Sequence, residues 1–526
     1  MHANLLHLPY FWDEAGYYVP AALDFYRRWT LIPTFTNAHP PLPNVVLAMV
    51  WHAFGFHILV TRLIACAFAA AALLAAYELA QRLLGASLAL ALAGLCAVYP
   101  IWYVQSSLVH ADIFAAAFTL GGFALYLTAP ELQPADPATP SGASSPRRLV
   151  WAAVLFSLAA LSKETSILQP AALFTAELWY VTRARTTQER HAHLRWLAVL
   201  GTPLPLLATW FGYHRLRTGF TFGNPEFLRY NATANLSVAH IASSLWYRFL
   251  HLFWQRNIWL PIVLACACLF LRPRSEVRSK SLSPRLLRTI ALLLCVNWLA
   301  FSILGGALLT RYLLPMYPLL LLVCLRVWQS RTALWPALAA LAAAGFLSAL
   351  WFNPPTYFAP EDNLTYRDMI VVHQDAIAYL ERHNPNATVL TAWPASAELT
   401  RPDLGYTDHP FHVFPIEDFQ RGQIATAAEH PGNFGTALVF SVHYIDPGLR
   451  RWLGLHPASA SARKFAATRD LSAAEIARAL GGDVAWSENR DGEWAAVLRF
   501  QRRYDAQQVP PARLNLPADA YVAALP

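Results

Sequence analysis

Two adjacent carboxylates, Asp13 and Glu14, stand at the head of an aromatic stretch that runs from Tyr10 to Trp29. A carboxylate that reaches a hydroxyl can take its proton, which is general-base chemistry. The same pair also reads as a helix N-cap followed by a first-turn acid favoured by the helix dipole. Further along comes Asn37-Ala38-His39-Pro40-Pro41-Leu42. Its two prolines fix an extended entry and then start a helix over 43–56, so His39 sits on a rigid mount. Three more sites carry ionisable groups beside apolar runs: His110 and Asp112, Lys163 and Glu164 in Leu161-Ser162-Lys163-Glu164-Thr165, and Arg311 in Arg311-Tyr312-Leu313-Leu314-Pro315. One such group at a span end is explained by snorkelling. Several of both signs on one face point to a polar site, because ionisable groups near lipid are costly.

The elements that must position these residues follow from composition. Of 526 residues, 56% are hydrophobic and 14% charged, against about 25% charged in an ordinary soluble domain. The deficit lies between about residues 45 and 352, where apolar runs recur at the length that crosses a bilayer. Spans are expected near 57–84, 88–104, 111–129, 149–163, 166–182, 196–213, 254–271, 289–307, 312–328 and 333–352. Two loops are rich in arginine and lysine: Arg183, Arg185, Arg190 and Arg195 in one, and Arg272, Arg274, Arg278, Lys280, Arg285 and Arg288 in the other. They mark the cytoplasmic side. Alternation then puts 1–56, 105–110, Ser162-Lys163-Glu164, 214–253 and everything after 352 outside, and leaves 130–148 as a flexible cytoplasmic loop. The net charge of +8 is thereby explained by topology, with no nucleic-acid footprint. Residues 10–29 read as a helix at the interface. The outer stretch 1–56 has no apolar leader, and the expectation is a further span upstream of Met1.

The chain therefore divides into a membrane domain, 1–352, and a soluble domain, 353–526. In the latter, a helix over 367–383, strands at 388–391, 437–441, 484–488 and 495–500, and a helix over 471–481 capped from Asp470-Leu471-Ser472 predict a small α/β fold. Trp393-Pro394 and Pro402–Tyr406 are candidates for a rim, with a stabilising cap the plainer reading. All six cysteines fall inside apolar spans, which excludes a disulfide framework in the soluble part and makes Cys266-Ala-Cys268 apolar filler rather than a metal site.

The order of Asp13-Glu14, then His39-Pro40-Pro41-Leu42, resembles the GT-C superfamily of membrane glycosyltransferases, in its protein O-mannosyltransferase and aminoarabinose-transferase branch. Tyr99-Pro100 followed by Asp112, Leu161-Ser162-Lys163-Glu164 and Arg311-Tyr312-Leu313-Leu314-Pro315 continue the pattern over about residues 10–330. The resemblance implies a GT-C-type transmembrane helical bundle with an extracytoplasmic α/β domain, multi-pass in the inner (plasma) membrane. It also implies a polyprenyl-phosphate sugar donor, a protein, lipid or glycan acceptor, and inverting transfer at the outer face. On that basis Asp13 is the expected base. Glu14, about 100° away around a helix, cannot share that task and is assigned to acceptor or metal contact. Lys163 and Arg311 would compensate the charge of the departing lipid phosphate, Arg311 with bidentate capacity. His39 is a further phosphate candidate, standing where the branch acting on lipid A often has lysine. His110 and Asp112 complete the candidate site. A divalent cation near Asp13, Glu14 and Asp112 is compatible with this set, but no ligand spacing is decisive. The rival class is a transporter or flippase of lipid-linked glycans, which would need charges at the bilayer midplane and an inverted repeat.

Overall fold

The computed structural model describes residues 2–32, 39–132, 144–223, 225, 238–274, 282–304, 308–353, 358–441 and 471–500. Sequence features at Asn37, Ala38, Arg278, Lys280 and Asp470, and most of the 130–148 loop, lie outside them. The chain forms two compact units, Ala21–Phe352 and Met1–Pro20 together with Asn353–Pro526. The cut at 352 matches the change in composition. The first twenty residues depart from the expected division, because they group with the C-terminal unit rather than with the helices.

The first unit is helical. Its α-helices are α1 (Val19–Arg28, begun in the other unit), α2 (Leu42–Phe54), α3 (Ile58–Leu84), α4 (Ala86–Val98), α5 (Pro100–Gln105), α6 (Ala111–Tyr126), α7 (Pro146–Ser162), α8 (Leu168–Arg183), α9 (Thr187–Gly201), α10 (Pro203–Thr218), α11 (Val238–Phe253), α12 (Trp259–Leu269), α13 (Pro284–Leu304), α14 (Met316–Arg331) and α15 (Trp335–Ser348). Ile58–Leu84, Thr187–Thr218 and Pro284–Leu304 are long and apolar enough to cross a membrane, and the pair Ile241–Asn257 and Trp259–Leu269, bent by 89°, makes a fourth if taken as one span. Leu42–Phe54, Ala86–Val98, Ala111–Tyr126 and Trp335–Ser348 are apolar but shorter. Among the described residues there are fewer full-length spans than the ten expected, because several runs are interrupted. The run at 88–104 breaks at Tyr99, whose extended backbone precedes Pro100 at the start of α5, as the residue before proline prefers.

These helices are apolar on the outside. Leu74, Leu90, Leu204, Leu216 and Phe270 are exposed, whereas Arg62, Gln105, Asp112, Lys163, Arg248 and Arg311 are buried. A helix surface that inverts the soluble pattern in this way suits lipid outside and a polar interior.

The second unit contains α16 (Thr365–His383), β1 (Val389–Ala392), α17 (Ala395–Thr400), β2 (Val413–Ile416), α18 (Arg421–Ala428), β3 (Thr436–Phe440), α19 (Ala473–Leu480), β4 (Gly482–Arg490) and β5 (Glu493–Phe500). The sheet order is β2-β1-β3-β5-β4. β1 pairs in parallel with β2 and β3, while β5 is antiparallel to both β3 and β4. β1 and β3 are buried throughout, as expected of parallel strands covered on both faces. β4 and β5 are joined at Asp491-Gly492, both with positive φ, the two-residue hairpin that this dipeptide favours. Ser472 caps α19 in a reciprocal box with Glu475. Each predicted strand and helix of this unit is present; α17, β2 and α18 are additional.

Candidate active site

In the helical unit, the polar residues meet because three helices end or begin beside one another. α7 stops at Ser162, and Lys163 adopts an extended backbone (φ −151°, ψ 124°) before the 3-10 turn Glu164–Ile167. Successive side chains of an extended segment point to opposite sides. Lys163 accordingly turns to Asp112, with Nζ 2.6 Å from Oδ1, and Glu164 turns to His39, with Oε2 2.8 Å from Nδ1. Asp112 lies in the first turn of α6, where the helix dipole favours a carboxylate. Its other oxygen is 3.3 Å from Nε of Arg311, which a short 3-10 turn, Thr310–Leu313, presents ahead of α14. His110 Nδ1 is 2.9 Å from Gln105 Oε1 and 3.3 Å from an Arg311 nitrogen.

Tyr312 gathers the cations. Lys163 Nζ is 4.0 Å from its ring centroid, and the guanidinium carbons of Arg248 and Arg311 are 5.2 Å and 5.9 Å away. All three lie within reach of a cation–π interaction. Arg248 is fully buried, donates to the Leu309 carbonyl and approaches His251. A partly open pocket adjoins the group, lined on its polar side by Asp112, Lys163, Thr165, Ser166, Gln169 and Arg311. Three cations thus stand with two carboxylates, one of which is engaged by His39. Such a cluster, with cations in excess of carboxylates, suits an anion. Burial alone would raise the Glu164 carboxyl, but the His39 imidazole, its hydrogen bond and the Lys163 ammonium outweigh it and hold the group below its ordinary value.

The second unit holds Asp13 and Glu14. The backbone enters through Trp12 at positive φ and forms a π-helical turn, Glu14–Tyr18, continuing into α1. The expected helix over 10–29 is therefore shorter and begins with a wider turn. Asp13 is the N-cap residue but makes no side-chain capping bond. Glu14 is fully buried and turns back along the chain, its Oε2 accepting from the Phe11 N–H at 2.8 Å. Asp13 remains partly exposed. Among the described residues, no group of three or more His, Cys, Asp or Glu side chains is arranged to hold a metal ion.

Residues 38–209, about a third of the chain, match the family model described as dolichyl-phosphate-mannose-protein mannosyltransferase. Among solved structures, ArnT from Cupriavidus metallidurans bound to undecaprenyl phosphate is similar over 94% of this chain and 95% of that one, with TM-score 0.53 and 15% identity. At that identity the likeness is one of fold. The archaeal oligosaccharyltransferase AglB from Archaeoglobus fulgidus, in complex with an inhibitory peptide and a dolichol-phosphate, gives TM-score 0.45 at 10% identity over 96% of this chain and 71% of that one. No curated protein sequence matches.

Within the helical unit, Asp112, Lys163, Arg311 and His110 come together as one cluster, and His39 joins it through Glu164. Sequence reasoning missed Arg248, Gln105 and Tyr312. Arg248 lay in the segment read as an outer loop, 214–253. Its signal was the stripe Ser244, Arg248, His251 and Gln255, all buried on one face, while Trp246, Phe249 and Trp254 point outward. Polar residues at helical spacing inside an apolar helix mark a membrane helix lining a polar interior.

Proposed function

We propose that this chain is a GT-C glycosyltransferase that transfers one sugar from a polyprenyl phosphate to an acceptor hydroxyl at the outer face of the plasma membrane, with inversion, its C-terminal unit on that side. The observation that supports this best is the buried cation cluster around Tyr312. Lys163, Arg311 and Arg248 supply the charge that a lipid phosphate needs, and they do so in a setting where preorganised charge acts strongly. The placement of His39 through Glu164 puts an imidazole beside the same group. The similarity to a structure holding undecaprenyl phosphate agrees with this donor class.

In the proposed reaction, Asp13 takes the proton of the acceptor hydroxyl while that oxygen attacks the anomeric carbon. The bond from this carbon to the phosphate oxygen breaks, and the phosphate leaves with the electron pair. A phosphate is a good leaving group, so stabilising its charge suffices and no acid is required. The assignment of Asp13 rests on the sequence motif and on its partial exposure, since Glu14 is committed to the Phe11 amide. Asp13→Asn in the full-length protein, assayed with radiolabelled polyprenyl-phosphate sugars in membranes, is expected to lower turnover by about 10²- to 10⁴-fold with donor binding intact. Undiminished transfer removes Asp13 as the base. Lys163→Ala and Arg311→Ala are expected to weaken donor binding, and unchanged affinity would remove the phosphate cluster from the reading.

A further inference from the structure

The Asp13-Glu14 segment is built into the C-terminal unit. Four contacts from separate elements hold residues 10–16. The Tyr10 N–H donates to the Leu404 carbonyl at 3.1 Å. The Phe11 ring meets Tyr366 of α16 edge-on, with centroids 5.7 Å apart. Arg401, just beyond α17, points a guanidinium nitrogen at the Ala15 carbonyl from 3.5 Å. Trp393, which follows β1, lies flush against Gly16: a Cβ at position 16 would stand 2.9 Å from Cζ2 and 3.0 Å from Cη2 of the indole. Only glycine lets the backbone approach the ring this closely.

The contacts fix the segment in a particular way. Tyr10, Phe11, Glu14, Ala15 and Tyr18 are buried, so the segment is anchored before and after Asp13. Asp13 is left partly exposed between them. Of these anchors, Trp393 directly follows the carboxyl end of β1, the end of a parallel strand where open α/β sheets habitually present their functional groups. Nothing about a plain stabilising cap requires it to grip this particular stretch.

We infer that Trp393, seated on Gly16 and assisted by Arg401, is the positioning residue for the Asp13 carboxylate, so that the α/β unit is a working part of the transferase. The inference rests on the reading of Asp13 as the base. Catalytic groups must be held closely, and a misplacement of about 1 Å costs on the order of 10²-fold in rate.

The experiment uses point variants of the full-length protein in detergent, read by kcat, donor affinity and amide exchange. Trp393→Ala and, from the opposite side of the contact, Gly16→Ala should each lower kcat by on the order of 10²-fold, leave donor affinity unchanged, and speed amide exchange of residues 10–18. Trp393→Phe should restore most of the rate. In an Asp13→Asn background the Trp393→Ala loss should vanish, because a residue that acts through Asp13 has nothing left to position. Amide exchange unaltered by Trp393→Ala and Gly16→Ala overturns the inference, as does faster exchange with undiminished kcat. A Trp393→Ala loss that persists in full beside Asp13→Asn overturns it as well. An active Asp13→Asn single variant instead overturns the base assignment, so the two failures are told apart.

Discussion

At the level of single residues, Asp112 has the heaviest task in the helical unit. One buried carboxylate separates Lys163 at 2.6 Å from Arg311 at 3.3 Å. Removing it leaves two like charges together away from water, and breaking a buried pair in this way costs about 3–5 kcal/mol. Asp112→Asn is therefore expected to lower the melting temperature of the detergent-solubilised protein. Polyprenyl phosphate should restore stability more in the variant than in wild type, because its anion takes the place of the missing carboxylate. An equal shift in both proteins would show that the phosphate sits elsewhere. Glu164 supports a pH prediction. Its folded value is lowered, so its contribution is complete above the ordinary carboxylate value and is lost as pH falls through the folded one. Wild type should lose melting temperature more steeply than Glu164→Gln below pH 4.5. Parallel acid profiles would rule out the His39–Glu164 pair as a stabilising contact. Lys163, Asp112 and Arg311 were legible in the sequence because each interrupts or borders an apolar run. The pairing of Glu164 with His39 was not, since residues 125 positions apart are brought together only by how α2 meets the turn after α7.

At the level of elements, the informative places are where helices break. Proline at 100, the extended backbone of Lys163 and the 3-10 turn at Arg311 each end an apolar run beside a polar group, and these breaks were visible as Tyr99-Pro100, Ser162-Lys163-Glu164 and Arg311-Tyr312. The corner between α11 and α12 was not visible. There Arg256 and Asn257 both take positive φ, 52° and 61°, a conformation costing most L-residues about 1–2 kcal/mol. Asn257 tolerates it and also uses its side chain, donating from Nδ2 to the Gly345 carbonyl at 2.8 Å and accepting from the Trp259 indole at 3.3 Å. The sequence Gln255-Arg256-Asn257 has no proline or glycine to announce a turn, which is why the reading began a span at 254. Asn257→Gly keeps the backbone free and loses only the bonds, whereas Asn257→Ala loses both. The alanine variant should be the less stable of the two by about 1 kcal/mol, measured by thermal unfolding in detergent. Equal stabilities would mean that the corner relaxes out of the left-handed region.

At the level of the whole molecule, the boundary near 352 was legible because lipid and water select different compositions on either side of it. The strands of the C-terminal unit were legible too, from short β-branched and apolar runs such as Thr388-Val389-Leu390 and Ala437–Phe440. What composition could not disclose was that residues 1–20 belong with residues 353–526, since the two stretches are joined only in space. The consequence is open to test. A C-terminal fragment made without the first twenty residues leaves uncovered the groups that meet Tyr10, Phe11, Ala15 and Gly16 in the intact chain. Burying one large apolar side chain is worth about 1.5–3 kcal/mol, so a synthetic peptide of residues 1–20 should bind the 353–526 fragment and raise its melting temperature. The same peptide with Gly16→Val should not, because the added side chain meets the Trp393 indole before the segment can seat. If both peptides stabilise the fragment equally, apolar content alone explains the association; if only the native one does, the fit at Gly16 decides it, and the amino terminus is a structural member of the C-terminal unit.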